Sequence, residues 1–544
     1  MNFYFATCAA VSLLSPHPLD LRTSGEVKLG GHDYVRIEGR ANQYRPSGQS
    51  NASLTALPNG GFSIAWDSKR QLDGNSGVYL RSFNNLGAPI AQEESATKDK
   101  YYPQARPSVA LTANGKPLAF YETYFRDASE LGIFAGERGV NQRFLGDQSE
   151  VVTASAGNRI CAAWVSQING QKRRVFARIF DGKGKPLGKE FRVSDAKSGT
   201  EVVPSIAISG SDVYVAWQRF DDYSRPAGIF ARRFSIDGKQ FGNCIKLTSE
   251  NGLEPNLAAA GKNLLLAWNE SNGVNGGFVV KARSFDAALR PASHIISAPK
   301  QDGSQNAAAI AGRAHSSIAL AWNLSKGKSK SVYLQLFATS GYPSAEPIRV
   351  NRSAKGEHGM AESTGKTRLI YDARGAITVA WSGADDKDEE GGSAFFTRLV
   401  PKESLTEHQL VELQKLNSDT EAKLDNELHV VAPNKTIAVV KDGAGPHEPP
   451  RFNPFYKRIW DVQGNPGDEA GFLGINGAPW TPPDPHMAVG PNNIVVMTNG
   501  AIAFFNKDGT RTFIQPIENS FGFWGALGTE NFTFDPEVIF DPYS

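Results

Sequence analysis

A short phrase recurs seven times between residues 60 and 385 of this chain. In each copy a hydrophobic run closes on an alanine followed by an aromatic residue, with the aromatics 44 to 59 residues apart. The seven aromatics are Trp66, Phe120, Trp164, Trp217, Trp268, Trp322 and Trp381. Such a period is typical of repeat proteins, in which each unit buries its faces against its neighbours. We therefore predict one repeat architecture across this part of the chain.

The fourth repeat shows most clearly the four strands predicted for each unit. The strand-like runs are 203–208, 213–217, 228–234 and 245–247. Ser209–Ser211 and Asp237-Gly238 have turn chemistry, because glycine accepts positive φ without a Cβ clash. The polar stretch 218–226 is predicted to be a longer loop. The second repeat is degenerate and keeps only 132–135 of its third strand.

Four antiparallel strands in about 40–50 residues predict the blade of a β-propeller. A β-helix would have shorter repeats, and a string of sandwiches would need about 100 residues per domain. We therefore expect an all-β, seven-bladed β-propeller of four-stranded antiparallel blades over residues 33–400. The seven aromatics are predicted to fill the core between blades. An aromatic platform for sugars is the alternative.

A ring of blades is best closed by a blade that mixes strands from both ends of the chain. The run Tyr34 to Ile37 precedes the first complete repeat and has no partner there. The seventh repeat ends after Arg398-Leu399 without an outer strand. We expect the early run to supply that strand.

Charge and cysteine content narrow the classes of partner. The chain has 58 basic and 56 acidic residues, a net charge of +2, which argues against a dedicated nucleic-acid partner. Three cysteines are too few for a disulfide scaffold. Cys161 is expected to be a buried free thiol, and a Cys161–Cys244 bridge is the alternative.

Residues 1–21 contain a short apolar run that resembles the core of a signal peptide, although a basic start and a clean cleavage site are missing. The run is too short to span a bilayer, and nothing else in the sequence is long enough. We expect a secreted or cell-surface protein without a membrane span.

The pattern changes after the seventh repeat. Residues 401–470 are predicted to be a linker with a short amphipathic helix, since Leu405, Leu410, Leu413 and Leu416 lie near helical spacing. A strand pair at 428–432 and 436–440 and a Gly/Pro-rich stretch at 442–454 follow. From 471 to 544 the text predicts strands joined by Asn499-Gly500, a strong hairpin signal.

The stretch 482–510 reads PPDPHMAVGPNNIVVMTNGAIAFFNKDGT, and 534–542 reads FDPEVIFDP. This text resembles the opening blade of a propeller module in large secreted bacterial proteins. The repeats similarly resemble those of secreted bacterial surface proteins. The resemblance implies a propeller fold and an extracellular setting, and it carries no catalytic motif. Residues 471–544 are accordingly expected to begin a second, incomplete propeller-like module.

Catalytic and metal-binding motifs are absent from the sequence. No nucleophile elbow, zinc helix, P-loop or sialidase Asp-box occurs. The acidic run 385–390 is predicted to be a solvated loop, and its alternative is a weak calcium site at Asp385, Asp386 and Asp388. His315, His358 and His429 are expected at the surface or in loops. No other cofactor is predicted.

Repeats that carry no catalytic motif favour a non-catalytic binding or scaffold module of a larger extracellular protein. Its ligand would be an unknown protein or glycan. The alternative is a carbohydrate-active enzyme, a glycoside hydrolase or lyase-like protein, that uses the central face of the ring. Paired carboxylates could run such chemistry. A purely structural spacer is the third hypothesis.

Overall fold

The computed structural model describes residues 21–414 and 486–516, with short gaps. The gaps are 73–74, 101, 125, 128–130, 144–145, 168–171, 196, 273–276, 315, 328, 352–356, 363, 384–391, 490–491, 498–500 and 509. Most of the described chain is β-strand, folded into repeated antiparallel sheets.

Six consecutive sheets contain four strands each, and in each the strands follow one another in chain order. The first three sheets comprise β3 (Gln49–Ala56), β4 (Phe62–Leu72), β5 (Asn75–Phe83) and β6 (Glu94–Ser95); β7 (Gln104–Leu111), β8 (Pro117–Tyr124), β9 (Leu131–Ala135) and β10 (Arg138–Gly139); and β11 (Asp147–Ala156), β12 (Arg159–Gln167), β13 (Arg174–Asp181) and β14 (Phe191–Arg192). The next three comprise β15 (Thr200–Ser209), β16 (Asp212–Phe220), β17 (Pro226–Ser235) and β18 (Gln240–Lys246); β19 (Gly252–Ala260), β20 (Asn263–Ser271), β21 (Phe278–Phe285) and β22 (Ile296–Ser297); and β23 (Ser304–Gly312), β24 (Ser317–Lys326), β25 (Ser329–Ala338) and β26 (Ile348–Arg349).

A further sheet joins the two ends of the repeat region. Its strands are β1 (Leu21–Leu29), β2 (His32–Arg40), β27 (His358–Gly359), β28 (Leu369–Tyr371), β29 (Ile377–Gly383) and β30 (Ser393–Pro401). β2 pairs with β30 in antiparallel register from Tyr34 opposite Pro401 to Arg40 opposite Phe395. The early run Tyr34–Ile37 thus forms the outer strand expected from the sequence, and β1 adds one more strand beyond it.

The innermost strands contact one another in sequence and return to the start. The Val109 N–H donates to Ser53 Oγ at 3.3 Å, and the hydroxyls of Ser108 and Thr153 are 2.9 Å apart. Further contacts of this kind are Val203 with Glu150, Leu257 with Ser205 at 2.9 Å, Ile310 with Asn256 at 3.0 Å, Arg368 with Ala308 at 2.6 Å and Leu54 with Thr367 at 2.8 Å. This cycle of four-stranded sheets is consistent with a β-propeller.

All seven aromatics of the recurring phrase are buried, with at most 3% of each residue exposed. They fill the space between neighbouring sheets. Trp217, for example, belongs to one apolar cluster with Val175 and Ile179 of the preceding sheet, and Trp164 to another with Phe120 and Ile133. The alanine before each aromatic is buried as well. Burial of large side chains at every sheet interface is the main apolar contribution to the ring.

Beyond β30 the chain packs back onto the sheets. A 3₁₀ turn covers Lys402–Ser404, and a helix, α1, begins at 407 and is described to 414. Thr406 and Gln409 exchange side-chain to backbone hydrogen bonds across the first turn, as in a capping box. Leu405, Leu410 and Leu413 pack against Val35, Ile37 and Val400. The predicted amphipathic helix therefore leans on the closing sheet; Leu416 lies outside the described residues.

The C-terminal part contributes a separate four-stranded antiparallel sheet. Its strands are β31 (His486–Val489), β32 (Asn493–Met497), β33 (Ala501–Asn506) and β34 (Arg511–Pro516). β32 and β33 form the hairpin predicted around Asn499-Gly500, with Met497 opposite Ile502. The predicted signal segment, the strand pair at 428–440 and the stretch 442–454 lie outside the described residues.

Three expectations about local structure need correction or completion. The loop predicted at 218–226 is only 221–225, because an Asp221–Arg225 ion pair of 2.7 Å closes a tight turn between β16 and β17. His358 is buried edge-on against Trp381, with ring centroids 5.4 Å apart. Cys161 and Cys244 are both free thiols, and burial raises the pKa of Cys161 to about 12.

Truncating an inter-sheet tryptophan should destabilise the protein strongly. We expect Trp217→Ala to lower the free energy of unfolding by ~3–5 kcal/mol, because it removes a fully buried ring. Trp217→Phe should cost less than Trp322→Phe, by about 1 kcal/mol. The Trp322 Nε1–H donates to Gln301 at 3.0 Å, whereas the Trp217 Nε1–H has no acceptor among the described residues. Urea denaturation of the three variants measures this order; equal losses for the two Phe variants would contradict it.

Removing the N-terminal strands should damage the ring more than removing the C-terminal sheet. Deletion of 1–40 takes away β1 and β2 and leaves β30, which is buried along its whole length, as an open edge. We expect this deletion to aggregate or to melt at a much lower temperature than a deletion of 471–544. Size-exclusion chromatography and thermal melts compare the two; a deletion of 1–40 that melts like the full chain would show that β2 does not close the ring.

Candidate active site

The innermost strands share a β-bulge at the same position in six sheets. At each bulge one non-glycine residue has positive φ, between 49° and 58°. These residues are Asn51, Arg106, Glu150, Val203, Glu254 and Ala307. Bulges commonly re-aim a side chain next to a functional site. Positive φ is unfavourable for residues with a Cβ, above all for the β-branched Val203, so the surrounding structure must stabilise it.

A side chain of the preceding sheet accepts from the backbone N–H at or next to five of these six positions, and a sixth acceptor of the same kind serves Met360, beside β27 of the closing sheet. The acceptors are Asp67 for Arg106 at 2.7 Å, Glu122 for Glu150 at 2.7 Å, Glu150 for Val203, Gln218 for Glu254 at 3.1 Å, Asn269 for Ala308 at 3.2 Å and Asn323 for Met360 at 2.8 Å. Four of them (Asp67, Gln218, Asn269 and Asn323) directly follow the tryptophan of their repeat. One polar residue per sheet thus holds the next sheet in register.

The acceptors differ in charge around the ring. Gln218, Asn269 and Asn323 do the task with neutral amides, whereas Asp67, Glu122 and Glu150 do it with carboxylates. Since an amide is sufficient for the structural role, the carboxylates need another explanation. A buried carboxylate is costly unless it is paired, so this side of the ring bears a cost that the other side avoids. Concentrated ionisable groups of this kind mark candidate functional sites.

The closing sheet sends a short segment across the centre of the ring. Its inner strand is broken between β27 and β28, and residues 364–367 lie among the inner strands of other sheets. Ser205 Oγ donates to the Gly365 carbonyl at 2.8 Å, and Asn256 Nδ2 donates to the Lys366 carbonyl at 2.9 Å. A Cβ on Gly365 would lie 2.0 Å from the Pro204 carbonyl oxygen, so only glycine fits this crossing.

Lys366 brings a positive charge to the carboxylates. Its side chain is buried, and its ammonium donates to the carbonyl oxygen of Arg106. Burial lowers the pKa of Lys366 to about 8, while Glu122 and Asp67 oppose that shift. Burial likewise raises the pKa of Asp67 to about 6, against hydrogen bonds from Asn51 and the Arg106 N–H and the charge of Lys366.

Two arginines connect this buried cluster to solvent. The Arg106 guanidinium is half exposed and lies 3.4 Å from an oxygen of the fully buried Glu122. The Arg173 guanidinium lies 3.9 Å from the partly exposed Glu150. Burial raises the pKa of Glu150, with the Arg173 charge opposing it. Arg106, Arg173 and Glu150 are therefore partly exposed to solvent, whereas Glu122 is not.

Asp147 and Tyr124 complete the group, which we call the charged cluster: Asp67, Arg106, Glu122, Tyr124, Asp147, Glu150, Arg173 and Lys366. Burial raises the pKa of Asp147 to about 6, and Arg173 opposes the shift. One Asp147 oxygen, Oδ1, has no hydrogen-bond partner among the described residues, although the side chain as a whole is only partly buried. Burial raises the pKa of Tyr124 to about 12, and the charges of Arg106, Glu122 and Asp147 all act on it.

This arrangement can perform acid–base chemistry. A carboxyl group with a pKa near 6 is protonated in mildly acidic solution and can donate its proton to a leaving group. A second carboxylate beside an arginine stays available as a base, nucleophile or charge stabiliser. In the charged cluster, burial raises the pKa of both Asp147 and Glu150, and the Arg173 charge opposes the rise at both.

None of the cluster was singled out from the sequence. The signal that could have found part of it is the residue after each tryptophan, which is acidic in Asp67 and neutral in Gln218, Asn269 and Asn323. Asp385, Asp386 and Asp388, the candidate calcium ligands, lie outside the described residues, so that site stays a prediction. Within the described ranges no group of three or more His, Cys, Asp or Glu residues could hold a metal ion, and no helix there is long and apolar enough to cross a membrane.

Comparison with known proteins identifies similar structures but no relatives in sequence. No family model matches the chain, and no curated protein does. A structure of unknown function from Dyadobacter fermentans is similar at 10% identity, covering 70% of this chain and 100% of that one, with a TM-score of 0.40. An ulvan lyase from a new polysaccharide lyase family is similar at 9% identity over 73% of this chain and 100% of that one, with a TM-score of 0.43. A Trypanosoma rangeli sialidase is similar at 10% identity over 78% of this chain and 65% of that one, with a TM-score of 0.35. Function must therefore be inferred from the chain's own residues.

Replacing Asp67 by asparagine tests whether its charge is needed for folding. Asparagine can still accept from the Arg106 N–H, as Asn269 and Asn323 do for their neighbours. The pKa of Asp67 is raised in the folded protein, so its contribution to stability is fully present below pH 3.8 and is lost as pH rises through about 6. We expect Asp67→Asn to flatten the fall in melting temperature between pH 4 and pH 7. Asn269→Asp should introduce such a fall; parallel pH profiles for wild type and Asp67→Asn would contradict the assignment.

Proposed function

We propose that this protein is a carbohydrate-active enzyme that hydrolyses glycosidic bonds at the charged cluster. The observation that carries the proposal is that three consecutive sheets bond to the next sheet through the carboxylates Asp67, Glu122 and Glu150, whereas the following three do so through the neutral amides Gln218, Asn269 and Asn323. The catalytic alternative from the sequence is therefore better supported than the non-catalytic binding module.

Asp147 is the proposed general acid. Glycoside hydrolysis needs a protonated carboxyl group to donate to the leaving oxygen, and a raised pKa keeps that proton in place. The pKa of Asp147 is raised to about 6, and its Oδ1 has no protein partner among the described residues. The Asp147 side chain as a whole is partly exposed, although Oδ1 itself is buried, and we propose that this exposed part of the carboxyl group meets the glycosidic oxygen.

Glu150 is the proposed ionised carboxylate. It lies on the same strand as Asp147 and is partly exposed. Burial raises the pKa of Glu150, while the hydrogen bond from the Val203 N–H and the Arg173 charge oppose that rise, so we propose that it works ionised above its raised pKa. The bulge between Ser149 and Val152 turns its backbone away from the regular strand. Its role is to activate water or to stabilise positive charge on the sugar.

The presence of two carboxyl groups on one inner strand is the reason to propose hydrolysis. Glycoside hydrolases use one carboxyl group as a general acid and a second as a base or nucleophile. We assign these two roles to Asp147 and Glu150, and Arg173 acts on the charge of both.

The proposal includes the ring itself, formed as seven blades over residues 33–400 and closed by β2. The cycle of inner-strand contacts and the β2–β30 pairing support this count. We also propose that the enzyme acts outside the cell, on the strength of the signal-like segment 1–21. Fractionation of the native producer would locate it.

Activity should be measured on a panel of neutral and acidic polysaccharides, by the release of reducing ends and by the absorbance of unsaturated uronides. We expect reducing ends without unsaturated products, and a rate that falls as pH rises above about 6, because Asp147 then loses its proton. Asp147→Asn should lower kcat by about 10²–10⁴-fold. Glu150→Gln should lower it comparably while keeping the side chain's shape.

Glu254→Gln is the matched control, since Glu254 occupies the equivalent bulge in another sheet and accepts from Asn269 at 2.8 Å. It should retain wild-type kcat. The release of unsaturated products would show that this site performs elimination, as a lyase does, and not hydrolysis. No turnover on any polysaccharide, with intact folding, would return the protein to the class of non-catalytic binding modules.

A further inference from the structure

A cavity lies between the outer parts of two neighbouring sheets, and none of the residues that line it belongs to the charged cluster. Its volume is about 280 Å³. The lining residues come from the outer segment beside β22 and from β25 with the turn after it: His294, Ile295, Ser297, Gln335, Phe337 and Tyr342, with Pro299, Gly341 and Pro343 at its edges. Tyr342 is 65% exposed and Ile295 50% exposed, so the cavity opens to solvent.

One of the two sheets that line the cavity lacks an arginine that four other sheets share. In four sheets an arginine on the third strand donates Nε–H to the carbonyl ten residues later: Arg81 to Ala91, Arg178 to Gly188, Arg232 to Gly242 and Arg283 to Ser293, at 2.9–3.1 Å. Three of these arginines reach onward to a carbonyl at the end of the preceding sheet, namely Ala41, Val140 and Val193.

Gln335 stands at this position in the sheet that lines the cavity. Its amide Nε2–H donates to the Ala345 carbonyl at 2.7 Å, which is again ten residues on. The glutamine is shorter than arginine and makes no second contact of that kind in the described residues. Its Oε1 is buried and has no hydrogen-bond partner there, and the Ala345 contact fixes the orientation of the amide. A buried acceptor without a donor is unfavourable unless a ligand supplies one.

The turn above the cavity departs from the repeat as well. In four sheets a proline bridges back to the phenylalanine that ends the third strand: Pro89, Pro186, Pro291 and Pro343. The residues before these prolines are Ala88, Lys185, Arg290 and Tyr342. The aromatic residue thus occurs only in the turn beside the shortened side chain. Its ring pairs with His294, with centroids 6.0 Å apart.

We propose that this cavity binds one sugar residue of a carbohydrate chain, outside the charged cluster. The ligand class rests on the proposed function. A pyranose offers an apolar C–H face, which suits the exposed Tyr342 ring and Ile295, and hydroxyl groups, which can donate to Gln335 at the floor. The site would hold the polymer while the charged cluster cleaves it.

The arginine found in other sheets suggests a substitution that fills the cavity. Gln335→Arg restores the residue that other sheets carry, so it should fold and melt like the wild type while occupying the cavity. Tyr342→Ala removes the exposed ring, and Lys185→Ala is the matched control in the equivalent turn of another sheet. Binding is measured on the full chain by saturation-transfer NMR and calorimetry with cellohexaose, xylohexaose and hexagalacturonate.

We expect at least one of these oligosaccharides to bind, at least tenfold more weakly to Gln335→Arg and Tyr342→Ala and equally to Lys185→Ala. Asp147→Asn separates the two proposals, since it should abolish turnover and leave this binding intact. Turnover with binding that Tyr342→Ala and Gln335→Arg do not change would overturn the cavity and keep the enzyme. Binding that is lost in Tyr342→Ala, together with no turnover by the wild type, would keep the cavity proposal and overturn the enzyme proposal. No binding of any of the three probes overturns the inference.

Discussion

The hydrogen bond between a polar side chain and the bulged N–H of the next sheet determines how this ring is built. A non-glycine residue at positive φ costs about 1–2 kcal/mol. The structure bears this strain at six equivalent positions, from Asn51 to Ala307. A side chain of the preceding sheet satisfies an N–H at or beside five of the six. These hydrogen bonds thereby fix the position of each sheet relative to its neighbour.

The same bond explains why a catalytic group can arise here at little structural cost. The acceptor needs one oxygen, and an aspartate, glutamate, asparagine or glutamine can supply it. Where the residue is an acid, its second oxygen can accept from or pair with a further group, as Asp67 does with Asn51. Glu122 uses one oxygen for the Glu150 N–H and the other for Arg106. Burial then favours the protonated carboxyl, while Lys366 and the arginines favour the ionised one, and the balance differs from residue to residue.

Period and alternation in the sequence predict the repeated sheets, the strands of the fourth repeat and the pairing of Tyr34–Ile37 with the last repeat. These features depend on local propensity and on the spacing of apolar residues, and both can be read separately in each repeat. The charged cluster depends on which residues of different sheets meet. Glu122 stands one position later after its aromatic than Asp67 does, and Lys366 arrives through a broken strand that follows no repeat. His358 was placed wrongly because a buried histidine against Trp381 has no local signature.

In a repeat protein the equivalent positions of different sheets can be compared with one another, because every sheet packs against its neighbours in the same way. Where all sheets agree, as in the alanine and aromatic at the sheet interfaces, packing alone explains the residue. Where one sheet has a different residue at such a position and that residue does not stabilise the fold, its presence needs another explanation. Asp67 in place of an amide buries a charge, and Gln335 in place of arginine leaves an acceptor without a donor. Both departures are unfavourable for folding. Asp67 belongs to the charged cluster and Gln335 lines the outer cavity, so the proposed chemistry and binding are the reason to retain them.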